Sequence, residues 1–332
     1  MRRSIINDPD DLIPQALEGL ALSHPTLLEL NAEHRFLTRK QPARDKVGLV
    51  SGGGSGHEPL HAGFVGTGML DVAVAGAVFA SPTALQVLEA TKAADSGRGV
   101  VQIVKNYTGD VLNFRIAGEI TGDDAIETEM VLVDDDLATD TEDDEGPGRR
   151  GTAATVIVEK VCGAAAEAGA SLQEVAEIGR RAAASARTMS LALTAGTHPG
   201  DDQPQFELEA DEIELGVGIH GERAAQRASF ADADGLTDLL LDPLLEELGL
   251  ARGDEVIAIV NSLGSTYPLE LNVVARALHH RLGDAGIEIS RSLVGPYVTS
   301  LDMHGVSITL MPLDDQLRSL WDAPVRTPAL TW

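Results

Sequence analysis

The sequence predicts an α/β protein built as two α/β domains, with parallel or mixed sheets covered by helices. Three observations carry this expectation. Short apolar runs alternate with helical patterns over the first half of the 332 residues, a Gly- and Pro-rich break ends all periodicity at 194–206, and a second set of strand-like runs comes after it. Strands are expected at "VGLV" (47–50), "DVAVAG" (71–76), "VVQIV" (100–104) and "IETEMVLV" (126–133), each running into a turn or a helix start. "SPTALQVLEATKAAD" (81–95) has helical spacing. Ser81 is its expected N-cap, Pro82 its first helical residue, and Ala84, Val87, Leu88 and Thr91 its common face. "DDDLATDTEDDEGPGRR" (134–150) has the composition of a solvated loop and holds the densest acidic run. The Ala-rich segment from Gly151 to Met189 then predicts two helices parted near Gly169 to Ser171.

"TAGTHPGDDQPQF" (194–206) marks the domain boundary. Beyond it lie a strand at "EIELGVGIHGE" (212–222) with a Gly-flanked end, an apolar helix near 234–248, and strands at 255–260, 287–294 and 305–313. The expected organisation is an N-terminal domain over 1–193, a linker over 194–210 and a C-terminal domain over 211–332. No internal repeat is evident.

Composition excludes several classes. With 43% hydrophobic residues the chain can bury two cores, and with one cysteine, Cys162, it can form no internal disulfide and none of the usual structural zinc sites. No metal site is expected. The apolar run from Val72 to Ala80 falls far short of the roughly 20 residues of a membrane helix. Asp8, Asp10 and Asp11 come after the N-terminal arginines where a signal sequence needs an apolar core. A cytoplasmic protein is expected. The 25 Lys and Arg residues against 52 Asp and Glu leave a net charge of −27, and only Lys40, Lys46, Lys92, Lys105 and Lys160 are lysines. Nucleic acid is a poor partner for such a surface, because phosphate binding needs clustered cations. The same balance suits a salt-rich cytoplasm, where counterions screen self-repulsion, and predicts a halophilic source.

In a parallel sheet, ligand loops gather at the C-terminal ends of strands. Two candidates fall there: "SGGGSGHEP" (51–59) and "KNYTGD" (105–110). Consecutive glycines before a helix start let backbone N–H groups approach an oxygen-rich ligand, although a tight turn with no ligand needs them too. The segment is not a nucleotide P-loop, since Gly56-His57-Glu58 stands where Gly-Lys-Ser/Thr is required. It is not a dinucleotide fingerprint either, since Pro59 takes the place of a glycine. Lys105 and Asp110 form either an ion pair at the sheet edge or a cation and a base facing a ligand. His220, between Ile219 and Gly221, is either a satisfied histidine or a catalytic or covalent one. His24, His34, His61, His198, His279, His280 and His304 lack such settings. His61 lies one helical turn after His57, but no carboxylate spacing completes a metal site there.

Together "GLVSGGGSGHEPLHAGFVGTGMLDVAVAGAVFASPT", "VQIVKNYTGDVLNF", "GIHGE" and "TSLDMHGVSITL" resemble, in order and spacing, the dihydroxyacetone kinase K subunit family, the dihydroxyacetone-binding component. The resemblance runs from about residue 15 to the C-terminus. It implies that His220 adds to the carbonyl carbon of dihydroxyacetone and holds it as a hemiaminal, which excludes glycerol for want of a carbonyl. It implies that Gly54, Ser55, Gly56 and His57 bind the substrate, that Lys105 binds its oxygens, and that Asp110 is the base on the hydroxyl that receives phosphate, with His57 assisting as acid or base. The glycine loop 51–59 would then hold a triose hydroxyl.

Single-chain kinases of this type continue into a helical nucleotide-binding domain, whereas this chain stops at Trp332. The resemblance therefore implies no cofactor on this chain, ADP or ATP with Mg on a partner L subunit, recharging through an M subunit that draws on phosphoenolpyruvate, and a homodimer. Three departures from the family pattern stand out: Glu222-Arg223-Ala224, where a Pro-Gly pair usually succeeds the glutamate; Pro296, where asparagine is common; and the heavy charge of 140–147. The alternatives are a non-catalytic dihydroxyacetone sensor or transcriptional co-activator, which could dispense with the base, and a generic lipid- or phosphate-binding α/β module, which leaves Lys105, Asp110 and His220 unexplained together.

Overall fold

The computed structural model describes residues 4–42, 44–139, 148–223 and 226–332. The acidic run 140–147 and Ala224 lie outside them. The chain forms two compact units, each with a six-stranded sheet. Among the described residues one unit draws on 4–133, 155–183 and 316–332, and the other on 134–154 and 184–315.

In the first unit β1 (Leu28–Asn31), β2 (Phe36–Arg39), β3 (Gly48–Ser55), β4 (Val72–Val78), β5 (Val100–Lys105) and β6 (Thr128–Val133) make a sheet of order β1-β2-β4-β3-β5-β6. The four strands expected from the apolar runs are its parallel part, and the antiparallel β1–β2 hairpin extends it. The helices are α1 (Leu12–Ser23), α2 (Ala84–Ala94), α3 (Thr108–Asp123), α4 (Ala154–Glu167) and α5 (Leu172–Ser185), with a further helix at Asp315–Asp322. Val50, Val72, Val74, Val100 and Val104 pack on Val87, Leu88 and Ala90 of α2 and on Phe114 and Ala117 of α3. Each such Val, Leu or Phe side chain contributes on the order of 2 kcal/mol by leaving water. The cap of α2 is Thr83, not Ser81. The Thr83 side chain accepts from the Gln86 amide while the Gln86 side chain accepts from the Thr83 amide, a reciprocal pair that Ser81 does not offer.

The second unit holds β7 (Arg187–Thr194), β8 (Glu212–Leu215), β9 (Gln226–Ser229), β10 (Glu255–Ser262), β11 (Glu288–Gly295) and β12 (His304–Pro312), in the order β11-β10-β12-β7-β8-β9. Among the described residues only the β10–β11 pair of this sheet is parallel. Helices α6 (Ala233–Leu248) and α7 (Pro268–Ala285) bury Leu240, Leu244, Leu271 and Leu278 against Leu191, Val256 and Ile308 of the strands.

The observed division departs from a cut at 193 with a linker over 194–210. Residues 187–194 form a strand that pairs with β12 and β8, so they belong with the second sheet rather than with the preceding helices. The expected linker is part of the same unit. Phe206 is buried against Val217, Leu263 and Met303, and the Thr197 amide donates to Asp302 at 2.8 Å.

Candidate functional site

The strand β3 does not stop at Val50. It runs through Ser55, so Gly52, Gly53 and Gly54 are strand residues; Gly52 and Gly53 pair with β4, and the register shifts between Gly53 and Ser55, at Gly54. The chain then makes a turn and a single 3-10 turn at Ala62–Phe64, not an α-helix, so no helix dipole stands behind the loop. The glycines serve close approach. A Cβ on Gly53 would lie 2.3 Å from Lys105 Nζ, so any other residue there would push the buried ammonium aside. Gly56 has φ of 107°, a left-handed conformation that favours glycine, and its amide donates to the Glu58 carboxylate at 3.0 Å.

Parallel pairing in turn sets the chemistry-bearing side chains. Lys105 ends β5 and is wholly buried, while Asp110 lies in the first turn of α3, only 2% exposed. Lys105 Nζ stands 3.7 Å from Asp110 Oδ2 and 3.4 Å from the Gly52 carbonyl oxygen, and it is 2.8 Å from His61 Nε2. Of the two options for Lys105 and Asp110 the structure shows the ion pair, though beneath the glycine strand and not at the sheet edge, since β5 lies between β3 and β6. Burial lowers the Lys105 pKa, against the upward pull of Asp110 and Glu159. Asp110 Oδ1 is buried with no hydrogen-bond partner among the described residues, an acceptor held ready for a donor.

The two histidines after β3 do not share a helix face. The His57 ring is fully buried and stacks on Phe79 with centroids 5.2 Å apart. His61 turns to the sheet instead, with Nδ1 2.7 Å from Glu159 Oε1 of α4 and 2.9 Å from Ser51 Oγ. Burial pushes the His61 pKa well down, and Lys105 and His57 add to that. Burial pushes the Glu159 carboxyl well up against the opposing pull of Lys105. Local sequence assigns no role to Ser51, Gly53, His61 or Glu159. His61 could have been found only through a partner 98 residues away, and "VIVEKV" reads as one more turn of an apolar helix. A cavity of about 600 Å³ adjoins this network, lined by Ile13, Leu17 and Leu20 of α1, by Gly53 and Gly54, and by His61.

His220 belongs to the other unit, in the turn after β8. The Gly221 amide donates to the Gly218 carbonyl at 3.0 Å, and the Gln205 side chain donates to the His220 carbonyl at 2.7 Å. The Glu222 carboxylate receives the His220 amide at 2.9 Å and sits 2.9 Å from the ring Nδ1. Burial would raise the Glu222 pKa, but the His220 contact and Arg150 hold it below the ordinary carboxylate value. Arg150 Nη1 lies 3.9 Å from Glu222, and Nη2 lies 2.6 Å from Asp136. Of the departures noted in the sequence, Arg223 reaches the buried Glu214 at 3.3 Å and packs over the Phe206 ring, while Pro296 is exposed.

Residues 18–329 match the Dak1 domain. A Listeria innocua protein named as the dihydroxyacetone-binding subunit DhaK of PTS-dependent dihydroxyacetone kinase 1 is 46% identical, over 95% of this chain and 95% of its own. Among solved structures, a dihydroxyacetone kinase operon co-activator superposes with a TM-score of 0.90 at 30% identity, covering 95% of this chain and 97% of its own. The dihydroxyacetone kinase of C. freundii in complex with AMP-PNP and Mg2+ superposes with a TM-score of 0.89 at 32% identity, over all of this chain and 61% of its own. The chain belongs to the Dak1 domain family.

Proposed function

We propose that this protein is the dihydroxyacetone-binding subunit of a multi-component dihydroxyacetone kinase, a phosphotransferase component. The observation that carries the proposal is the buried Lys105–Asp110 pair under Gly53, with Asp110 Oδ1 left as an acceptor, in a chain 46% identical to a DhaK subunit. In this mechanism His220 Nε2 adds to the carbonyl carbon of dihydroxyacetone as the C=O π bond opens, the carbonyl oxygen takes up a proton from solvent, and the ring passes its Nδ1 proton to the Glu222 carboxylate, leaving a neutral hemiaminal. Glu222 supports this step: with the Nδ1 proton directed to its carboxylate, the lone pair lies on Nε2. Gly54, Ser55, Gly56 and His57 hold the triose, and Lys105 supplies positive charge toward its oxygens. Asp110 accepts the proton of the hydroxyl as the phosphoryl group arrives, with His57 assisting. The products are dihydroxyacetone phosphate and a dephosphorylated donor.

The donor nucleotide with Mg belongs to a partner L subunit, recharged from phosphoenolpyruvate through an M subunit, and the chain works as a cytoplasmic homodimer. The AMP-PNP and Mg2+ in the C. freundii kinase, a chain that extends well beyond the part matched here, support a separate place for the nucleotide. The net charge of −27 supports a salt-rich, halophilic habitat.

The co-activator structure favours a second function, a non-catalytic dihydroxyacetone sensor. The presence of Lys105, Asp110 and His57 together, and the higher identity to a kinase subunit, favour catalysis. One experiment separates the two. The protein is soaked with dihydroxyacetone or glycerol and assayed with a cognate L subunit. Density joined to His220 with dihydroxyacetone alone, lost in His220→Ala, is expected, and Asp110→Ala keeps capture while losing phosphorylation. Capture with no turnover would leave the sensor; no capture at all would remove both.

A further inference from the structure

The described residues contain a second layer beneath the proposed site, with no part in the mechanism so far. Glu159 is fully buried on α4, His61 is 5% exposed, and the two connect to Lys105 in succession: Glu159 Oε1 to His61 Nδ1 at 2.7 Å, and His61 Nε2 to Lys105 Nζ at 2.8 Å. The groups facing His61 are Ser51 of β3, His57 of the next turn, Lys105 of β5 and Glu159 of α4; Asp110 of α3 lies 3.7 Å from Lys105 Nζ. Cys162, one turn beyond Glu159, is held as a neutral thiol.

Hydrogen-bond chemistry assigns the protons. An ammonium only donates, so His61 Nε2 accepts from Lys105 and the single proton of the neutral ring stands on Nδ1. Ser51 Oγ donates its own proton to the Ile103 carbonyl at 2.7 Å, so it too can only accept from Nδ1–H at 2.9 Å, and Glu159 Oε1 at 2.7 Å is the nearer acceptor. Lys105 thus lies between two carboxylates, Asp110 directly and Glu159 through the imidazole. Burial opposes both the Lys105 and the Glu159 charge, so each depends on the other.

We propose that His61 and Glu159 are positioning residues for phosphoryl transfer, fixing the direction and the charge of the Lys105 ammonium beside Asp110. This rests on the function proposed above. When Asp110 takes up the hydroxyl proton its negative charge disappears from the side of Lys105. Glu159, acting through His61, remains the anion that keeps the ammonium protonated to the end of the step, in the manner of the carboxylate behind a catalytic histidine.

Glu159→Gln keeps an acceptor for His61 Nδ1–H and removes the charge. With a cognate L subunit, kcat is expected to fall roughly tenfold to a hundredfold with little change in KM for dihydroxyacetone. The alkaline limb of the kcat profile moves to lower pH, and Glu159→Asp moves it back. Because a buried substitution can prevent folding, nitrogen-15 NMR of histidine-labelled wild type gives a second measure: His61 is expected as the neutral ring protonated at Nδ1. A Glu159→Gln profile superimposed on the wild type, or a His61 ring protonated at Nε2 or at both nitrogens, overturns the proposal. Failure of wild type to capture dihydroxyacetone overturns the function instead, and the NMR result still decides the network.

Discussion

His220 Nδ1 lies 2.9 Å from Glu222 Oε1, and the same carboxylate receives the His220 amide through Oε2. One side chain therefore fixes both the turn and the tautomer of the ring. Glu222→Gln can present its amide N–H to Nδ1, which moves the ring proton to Nε2 and removes the lone pair needed for attack on a carbonyl. Occupancy of the hemiaminal, followed with carbon-13 dihydroxyacetone, is expected to fall at least about tenfold, as misassigned tautomers do in hydrolases. Undiminished occupancy in Glu222→Gln would take the carboxylate out of this role.

A side chain at Gly53 meets Lys105 Nζ, 2.3 Å from the ideal Cβ, and forces the ammonium to move. Gly53→Ala is expected to cost about 1–3 kcal/mol of stability by overpacking and to lower turnover by displacing the ammonium. Gly19, in α1 with nothing within 4 Å of its ideal Cβ, provides the contrast. Gly19→Ala is expected to gain about 0.5–1 kcal/mol with unchanged turnover. Denaturant midpoints of the two variants measured side by side check the pair, and equal effects would show that Lys105 yields freely.

The parallel strands and the two loops at their ends were legible because apolar runs such as "VVQIV" and the "KNYTGD" turn are local signals. Residues 187–194 were not, since "RTMSLALT" comes after an Ala-rich helix without a break, and its pairing with β8 and with β12, the latter more than a hundred residues on, makes it a strand. The same limit hid the lower half of the site. His57 and His61 look like helical neighbours at a spacing of four, and what separates them is the sheet beneath: one ring stacks on Phe79, the other reaches Glu159 and Lys105. Contacts between remote segments leave no trace in local composition. Their residues show up only as polar letters in apolar surroundings, as Ser51, Lys105 and Glu159 do.

Asp136 shows how burial and charge set a pH response. It is 1% exposed and paired with Arg150 at 2.6 Å, yet burial outweighs the arginine and raises its pKa from 3.8 to about 6. A carboxyl whose folded pKa exceeds its unfolded one stabilises the fold fully below the unfolded value, and that contribution is lost as pH rises through the folded value. Between about pH 4 and pH 6 wild type should therefore lose stability relative to Asp136→Asn, which stays neutral throughout, by at most about 3 kcal/mol. Urea midpoints of both proteins across this range check it; a constant difference would mean that Arg150 holds Asp136 ionised at all these pH values.

The surface charge leads to a separate expectation about salt. With 52 acidic against 25 basic residues, the folded chain compresses an excess of 27 negative charges that the unfolded chain spreads apart. Raising salt from about 0.1 M to about 1 M shortens the screening length from roughly 10 Å to roughly 3 Å, below the spacing of most surface charges. The folded state gains more from this than the unfolded state, so the melting temperature should climb steadily through molar KCl. Chloride is the anion to use, because sulfate stabilises proteins through exclusion from their surface whatever their charge. A melting temperature unmoved by KCl would show that the local ion pairs, among them Lys46–Asp71 at 2.6 Å and Arg39–Asp71 at 2.8 Å, already absorb the repulsion. The acidic composition would then say nothing about habitat.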